Sequence, residues 1–308
     1  MREIKKIIWA TDGSRESEEA LSYAVFVAKK FGSKIIGISV IPMSDQLIND
    51  YFRKSKGEVH TWAVKVDKKL ESKLSSISVE LASQGVKFKG AVLEGEPNKE
   101  IIGLAQREKA DLIVMGKRGH GLIDKILIGS NTLKVLRGSP IPVLAVRKRD
   151  KESPVDIRNI LVPLDITEKA DSALNYAIGL AERINARISV LYVFRLDTYA
   201  ALEIPPHVLA NLVEELLAFS STELTKRVKE AKLIHATKNK EINRLEIKAE
   251  VIRGISPSMT IVDYATSKNT DLIVINSHGR KGVKKFFLGS VAEKVIQESP
   301  CAVLALKP

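Results

Sequence analysis

"ADLIVMGKRGHG" (residues 110–121) passes from a carboxylate through four apolar residues into a loop with three glycines in six positions. A short apolar run of this kind reads as a buried strand, and the glycines as a turn that something approaches closely. The stretch occurs twice, returning as "TDLIVINSHGRKG" (270–282) at an offset of 160. Working outward, "IIWATDGS" (7–14) returns as "ILVPLDIT" (160–167), with Asp12 and Asp165 at an offset of 153. "IIGISVI" (35–41) returns as "RISVLYVF" (187–194), and "LIGSNTLKVLRGSPIPVLAV" (127–146) as "FLGSVAEKVIQESPCAVLAL" (287–306). The change of offset is a net gain of seven residues in the middle of the second copy. The charged, proline-containing stretch "RKRDKESPVD" (147–156) reads as a linker. One domain is therefore written twice, over residues 1–148 and 157–308.

Within a copy, strand and helix patterns alternate. "IKKIIWA" reads as a strand, and Ala20, Tyr23, Ala24, Val27, Ala28 and Phe31 then recur at helical spacing. "KIIGISVI" reads as a strand, 58–84 as a long amphipathic helix, and "VKFKGAVLEG" as a third strand. Pro97 opens a short helix, "ADLIVMG" is a fourth strand, 130–137 a last helix and "PIPVLAV" a last strand. The fold class expected is α/β: two tandem, doubly wound, parallel five-stranded sheets of Rossmann-like type. Ligands of such sheets sit outside the carboxyl ends of the strands, where Asp12, Val40 and Gly116 fall together.

Composition narrows the function classes. The 308 residues carry a net charge of +12, with 27 Lys and Arg against 18 Asp and Glu in residues 1–150, and 22 against 19 beyond. Such a balance suits an anionic partner, yet aromatics make up only 5% and no segment interleaves them with arginine as single-strand binders do. Neither nucleic acid nor membrane is expected as a partner; the balance fits general surface basicity or a localised anion site. The single cysteine, Cys301, fits a reducing compartment and reads as core, so a cytoplasmic location is expected. His60, His207 and His235 form no cluster at ligand spacing, so no metal site is expected in the protein itself. No Ser-His-Asp or Cys-His set can be assembled, and no catalytic residue is assigned. "KRVKEAKLIHATKNK" (226–240) reads as the solvated end of a long helix.

The glycine loop carries the chemistry. No GxxxxGK[ST] is present and no GxGxxG follows the first strand. What is present is Gly-x2-Gly-x9-Gly-Ser: Gly116, Gly119, Gly129 and Ser130. Glycines let backbone N–H groups approach an anion, and a helix N-terminus adds unpaired donors. The same spacing also suits a loop closed by a Ser N-cap, and Asp12 suits an Asx turn before the first helix.

In the order "ATDGS", "EGEP", "ADLIVMGKRGHG", "LIGS" and "SPIPVLAV", nearly the whole chain resembles, twice over, the universal stress protein family in its ATP-binding branch. The resemblance implies an adenine nucleotide alpha hydrolase-like fold. It implies two domains joined as an intramolecular pseudo-dimer, with a further homodimer left open. It implies ATP as ligand, with magnesium on the phosphates. Ala10, Thr11 and Asp12 correspond to the adenosine pocket, and Val40 to the residue whose backbone reads adenine. Met115 and Gly116 correspond to the ribose side, and Arg118, Gly119 and His120 to the border of the phosphates. Gly129, Ser130, Asn131 and Thr132 correspond to the triphosphate cradle. In the second copy the counterparts are Asp165, Val193, Gly279, Gly289, Ser290 and Val291, but Asn276 replaces the first glycine. The function implied is a stress-response role exercised through nucleotide-dependent conformation or an unidentified protein partner. A weak ATPase or nucleotidyl-handling enzyme and a ligand-free scaffold are the alternatives.

Overall fold

Parallel strands that are apolar on both faces need helices on both faces, and right-handed crossovers supply them. The computed structural model describes residues 3–42, 58–119, 128–149, 153–167, 171–195, 205–237, 244–277 and 288–307. It divides into two compact units, Arg2–Val155 and Asp156–Pro308.

The first unit runs β1 (Lys6–Thr11), α1 (Arg15–Phe31), β2 (Lys34–Pro42), α2 (Glu58–Ser83), β3 (Phe88–Gly95), α3 (Pro97–Arg107), β4 (Leu112–Gly116), α4 (Ser130–Gly138) and β5 (Val143–Val146). Its strands are ordered β3-β2-β1-β4-β5 and every pair is parallel. Ala10 stands beside Ile38 on one side and Met115 on the other, which fixes the register at the carboxyl rim. The chain leaves β1 toward β2 but leaves β4 toward β5, so a crevice opens between the ends of β1 and β4. The α1 and α2 helices lie together, joined by a Lys73–Glu18 ion pair, while α3 packs with α4. The core is aliphatic around Trp9, whose ring nitrogen donates to the Ser17 carbonyl at 2.7 Å. The helix α1 stops at Gly32, whose φ of 70° is the left-handed C-cap that glycine adopts without strain.

The second unit repeats the plan with β6 (Asn159–Pro163), α5 (Ser172–Ile184), β7 (Arg187–Arg195), α6 (Pro206–Ala236), β8 (Ile247–Gly254), α7 (Pro257–Ser267), β9 (Leu272–Asn276), α8 (Ser290–Glu298) and β10 (Ala302–Leu306). Its parallel order is β8-β7-β6-β9-β10, the same winding. The amino end of each sheet is tied in the same way. Asp111 Oδ2 accepts from the Lys5 and Lys6 N–H groups at 2.8 and 3.1 Å. Asp271 Oδ2 accepts from the Arg158 and Asn159 N–H groups at 3.0 and 2.9 Å.

The expected doubly wound α/β fold is therefore the observed one, with local differences. The last strand of the first unit begins at Val143 rather than Pro140, because the Ser139 hydroxyl donates to the Ile141 carbonyl and accepts its N–H, closing a turn. Phe31 and Cys301 are half-buried at element ends rather than core. The carboxyl end of α6 is not simply solvated: Arg227, Val228, Ala231 and His235 are all buried. Among the described residues, no helix is long and apolar enough to cross a membrane.

Candidate functional site

The site at the rim of the first unit starts with a tight turn. Asp12 Oδ1 accepts the Ser14 N–H at 3.0 Å, an Asx turn, and Ser14 caps α1 by accepting the Ser17 N–H at 3.3 Å. Thr11 Oγ1 accepts the Gly13 N–H at 3.1 Å and lies 2.9 Å from the Ser17 hydroxyl. This turn swings the first turn of α1 across the end of β4.

The loop glycines then separate into two kinds. A Cβ on Gly116 would stand 2.9 Å from the backbone of Glu16 and Ser17, so Gly116 is required by α1 itself. A Cβ on Gly119 would overlap the Asp12 carboxylate. Gly129 is different. Its φ of −62° and ψ of 140° are open to any residue, and a Cβ would meet its neighbours at an ordinary 3.5 Å. Among the described residues, no packing asks for glycine there.

Gly129 is the N-cap of α4, and among the described residues no side chain caps that helix. Ser130 is thus the first helical residue, not the cap. The Gly129 N–H donates to the Lys117 carbonyl at 2.9 Å, and its own carbonyl accepts the Leu133 N–H at 2.9 Å. The backbone N–H groups of Ser130, Asn131 and Thr132 precede the first intrahelical donor, where the helix dipole is positive. Ser130 and Asn131 are exposed. Thr132 is buried, and its hydroxyl donates to the Gly116 carbonyl at 2.9 Å, tying the helix to β4. Ala10 and Met115 are buried neighbours on β1 and β4, and Val40 is half-buried near the end of β2. His120 lies outside the described residues.

Arg118 has a partner that sequence reasoning missed. Glu16 Oε2 accepts the Arg118 backbone N–H at 2.6 Å, and Oε1 accepts from its Nε at 2.8 Å. The two residues are 102 positions apart, and a Glu in the first turn of a helix reads as an ordinary dipole partner. Only the close approach of α1 to β4 makes the pair.

The second unit keeps the scaffold of the site and changes its lining. Asp165 repeats the Asx turn, accepting the Thr167 N–H at 2.9 Å. Gly289 is again an N-cap without a side-chain cap among the described residues, and its N–H donates to the Ser277 carbonyl at 2.7 Å. Ser290 and Val291 are exposed, Val193 is buried, and Gly279 lies outside the described residues. The helix α5 begins at Ser172, the counterpart of Glu19 and four positions later than the start of α1. There the Ser172 hydroxyl donates to Asn276 Oδ1 at 2.6 Å, in place of the backbone contact that excludes a side chain at Gly116. Arg227, from α6, donates to the Asp165 carbonyl at 3.1 Å and lies 3.1 Å from Asp171 Oδ1. Burial raises the Asp171 pKa above the usual carboxylate value, while the Arg227 guanidinium pulls it the other way.

Known proteins share this pattern. The family model described as "Universal stress protein family" matches residues 3–147 and again 156–307. Universal stress protein MJ0531 of Methanocaldococcus jannaschii is 35% identical over 158 residues, covering 48% of this chain and 85% of that protein. Universal stress protein MJ0577 of the same organism is 30% identical over 156 residues, covering 47% and 96%. The crystal structure of a universal stress protein from Archaeoglobus fulgidus covers 100% of this chain and 99% of its own, at a TM-score of 0.70 and 22% identity, which is a likeness of fold.

Proposed function

This chain belongs to the universal stress protein family, and within it we propose that the first repeat binds ATP and passes its occupancy to a protein partner as a stress-response signal. The observation that carries the reading is Gly129. Gly116 answers to the backbone of α1, whereas a Cβ on Gly129 would meet its described neighbours at an ordinary distance. A glycine whose Cβ position is open among the described residues, heading a helix whose first three N–H groups are uncapped among those residues, fits a ligand whose phosphate must touch the backbone. The residues present fit that ligand: Ser130, Asn131 and Thr132 would hold phosphate through backbone N–H groups, with Gly119 and Arg118 beside them. Ala10, Thr11, Asp12, Val40, Met115 and Gly116 would enclose adenine and ribose. ATP would supply the negative charge that the helix terminus attracts, and magnesium would offset part of the charge on its phosphates.

The second repeat has the same helix terminus at Gly289, but Asn276 brings a side chain to the ribose side, so its binding is weaker. Mass spectrometry of the nucleotide released on denaturing the purified protein tests the reading. Release of ATP, and calorimetric binding of added ATP, is expected; a protein that neither releases nor binds adenine nucleotide overturns it.

A further inference from the structure

Glu16 is a carboxylate at a place where an anion site calls for cations. It belongs to the first turn of α1, on one side of the crevice between β1 and β4, while Arg118 belongs to the loop that leaves β4 on the other side. Its side chain is 8% exposed and that of Arg118 20%. The neighbouring Glu18 serves the helix dipole from an exposed position, so the dipole does not account for burying Glu16. Both oxygens of Glu16 are committed to a single residue: one to the Arg118 backbone N–H, the other to its Nε and Nη2. Burying a charge this deeply is tolerated only with such a partner. The protein thus already supplies an anion to the loop arginine.

We propose that Glu16 sets the phosphate affinity of the first repeat: it holds Arg118 as an internal anion, and a bound phosphate must compete with it for the guanidinium. The proposal rests on the ATP reading of this site and adds to it a positioning residue, Glu16, that opposes the bound phosphate by keeping Arg118 for itself. The exchange breaks the Glu16–Arg118 side-chain pair and forms a guanidinium–phosphate pair, with no proton or bond transferred. In the aligned sequence of the second repeat the counterparts are Lys169 and His278, so the competition belongs to the first repeat alone.

Calorimetry at low ionic strength tests it, on the full chain carrying G289V so that the first repeat is read, with ATP, tripolyphosphate and adenosine as probes. E16Q keeps an oxygen for the Arg118 N–H and removes the charge. It should tighten ATP and tripolyphosphate binding about tenfold, the worth of one charge-assisted bond, and leave adenosine unchanged. The double variant E16Q/R118Q should lose the gain. Unchanged or weaker ATP binding in E16Q, an equal gain for adenosine, or a gain that survives in the double variant overturns the proposal. Where E16Q folds poorly, Glu16→Asp keeps the charge at shorter reach and should shift ATP binding in the same direction by less; an opposite shift overturns it. If no probe binds either protein, the ATP reading falls and this inference with it, whereas equal ATP binding by both sinks the competition alone.

Discussion

The two glycine loops are built on the same turn and the same helix terminus, yet they solve the end of the fourth strand differently. In the first repeat the backbone of α1 lies against Gly116, and any side chain there is excluded. In the second, the described helix begins a turn later, and Asn276 reaches Ser172 with a hydrogen bond instead. A glycine in a nucleotide motif is therefore not by itself evidence of a nucleotide. Gly116 is held by a helix, whereas no described neighbour requires glycine at Gly129.

The contrast extends to charge. Each unit joins the helix after its first strand to the long helix that follows its second, through Lys73 and Glu18 in the first and Arg227 and Asp171 in the second. The former pair is exposed, whereas the Arg227 side chain is 7% exposed. Arg227→Met should destabilise the second unit by about 3 kcal/mol, the low end for a broken buried pair because Asp171 keeps some solvent. Lys73→Met should cost the first unit less than about 1 kcal/mol. Denaturant unfolding read through hydrogen exchange in each unit compares them, and equal losses would remove the distinction.

Gly129→Val should weaken ATP binding at the first repeat at least about a hundredfold, roughly 2.7 kcal/mol, while circular dichroism and unfolding midpoint stay near the parent's. Retained affinity in calorimetry would move the site elsewhere. Gly116→Ala should destabilise the first unit by about 2 kcal/mol, because the clash is with backbone that cannot rotate aside. Exchange protection of the amides in α1 and β4 reads this loss directly, and an unchanged protection pattern would mean that α1 shifts without cost. The two sites should differ in ATP affinity by about tenfold in favour of the first, or about 1.4 kcal/mol. Titrating Gly129→Val and Gly289→Val separately decides the order; loss of the tighter site in the second would reverse it. The smallest effect belongs to Asn276→Gly, which removes one hydrogen bond and should lower stability by about 1 kcal/mol while bringing the second site's affinity toward the first.

Much of the fold was legible because it rests on local pattern. The apolar runs around Ile8, Ile36 and Ile113 became buried parallel strands, and Gly32 ended α1 as glycine at a helix end does. The last strand came out shorter because Ser139 turns the chain through its own hydroxyl, a preference that the apolar "PIPVLAV" conceals. At the site, the Asx turn at Asp12 and the helix start after Gly129 were both readable. Glu16 and Arg227 were not. Each is an ordinary charged residue on a helix, and its meaning comes from a partner 102 or 56 positions away that only the packed fold supplies. Gly116 was legible as a close approach, but not whether ligand or helix does the approaching.

The carboxylates at the other end of the sheets carry a consequence for how such a chain arose. Asp111 and Asp271 each gather two successive N–H groups from the start of the neighbouring strand, with distances that differ by at most about 0.2 Å between copies. A gene copied in tandem drifts where the fold tolerates change and stays put where it does not. The amino rim keeps this contact in both copies, whereas at the carboxyl rim Gly116 stands opposite Asn276 and Lys117 opposite Ser277. The amino end thus holds the strands in step by the same carboxylate in both halves, while the carboxyl end keeps its turn and helix terminus and changes the residues beside them.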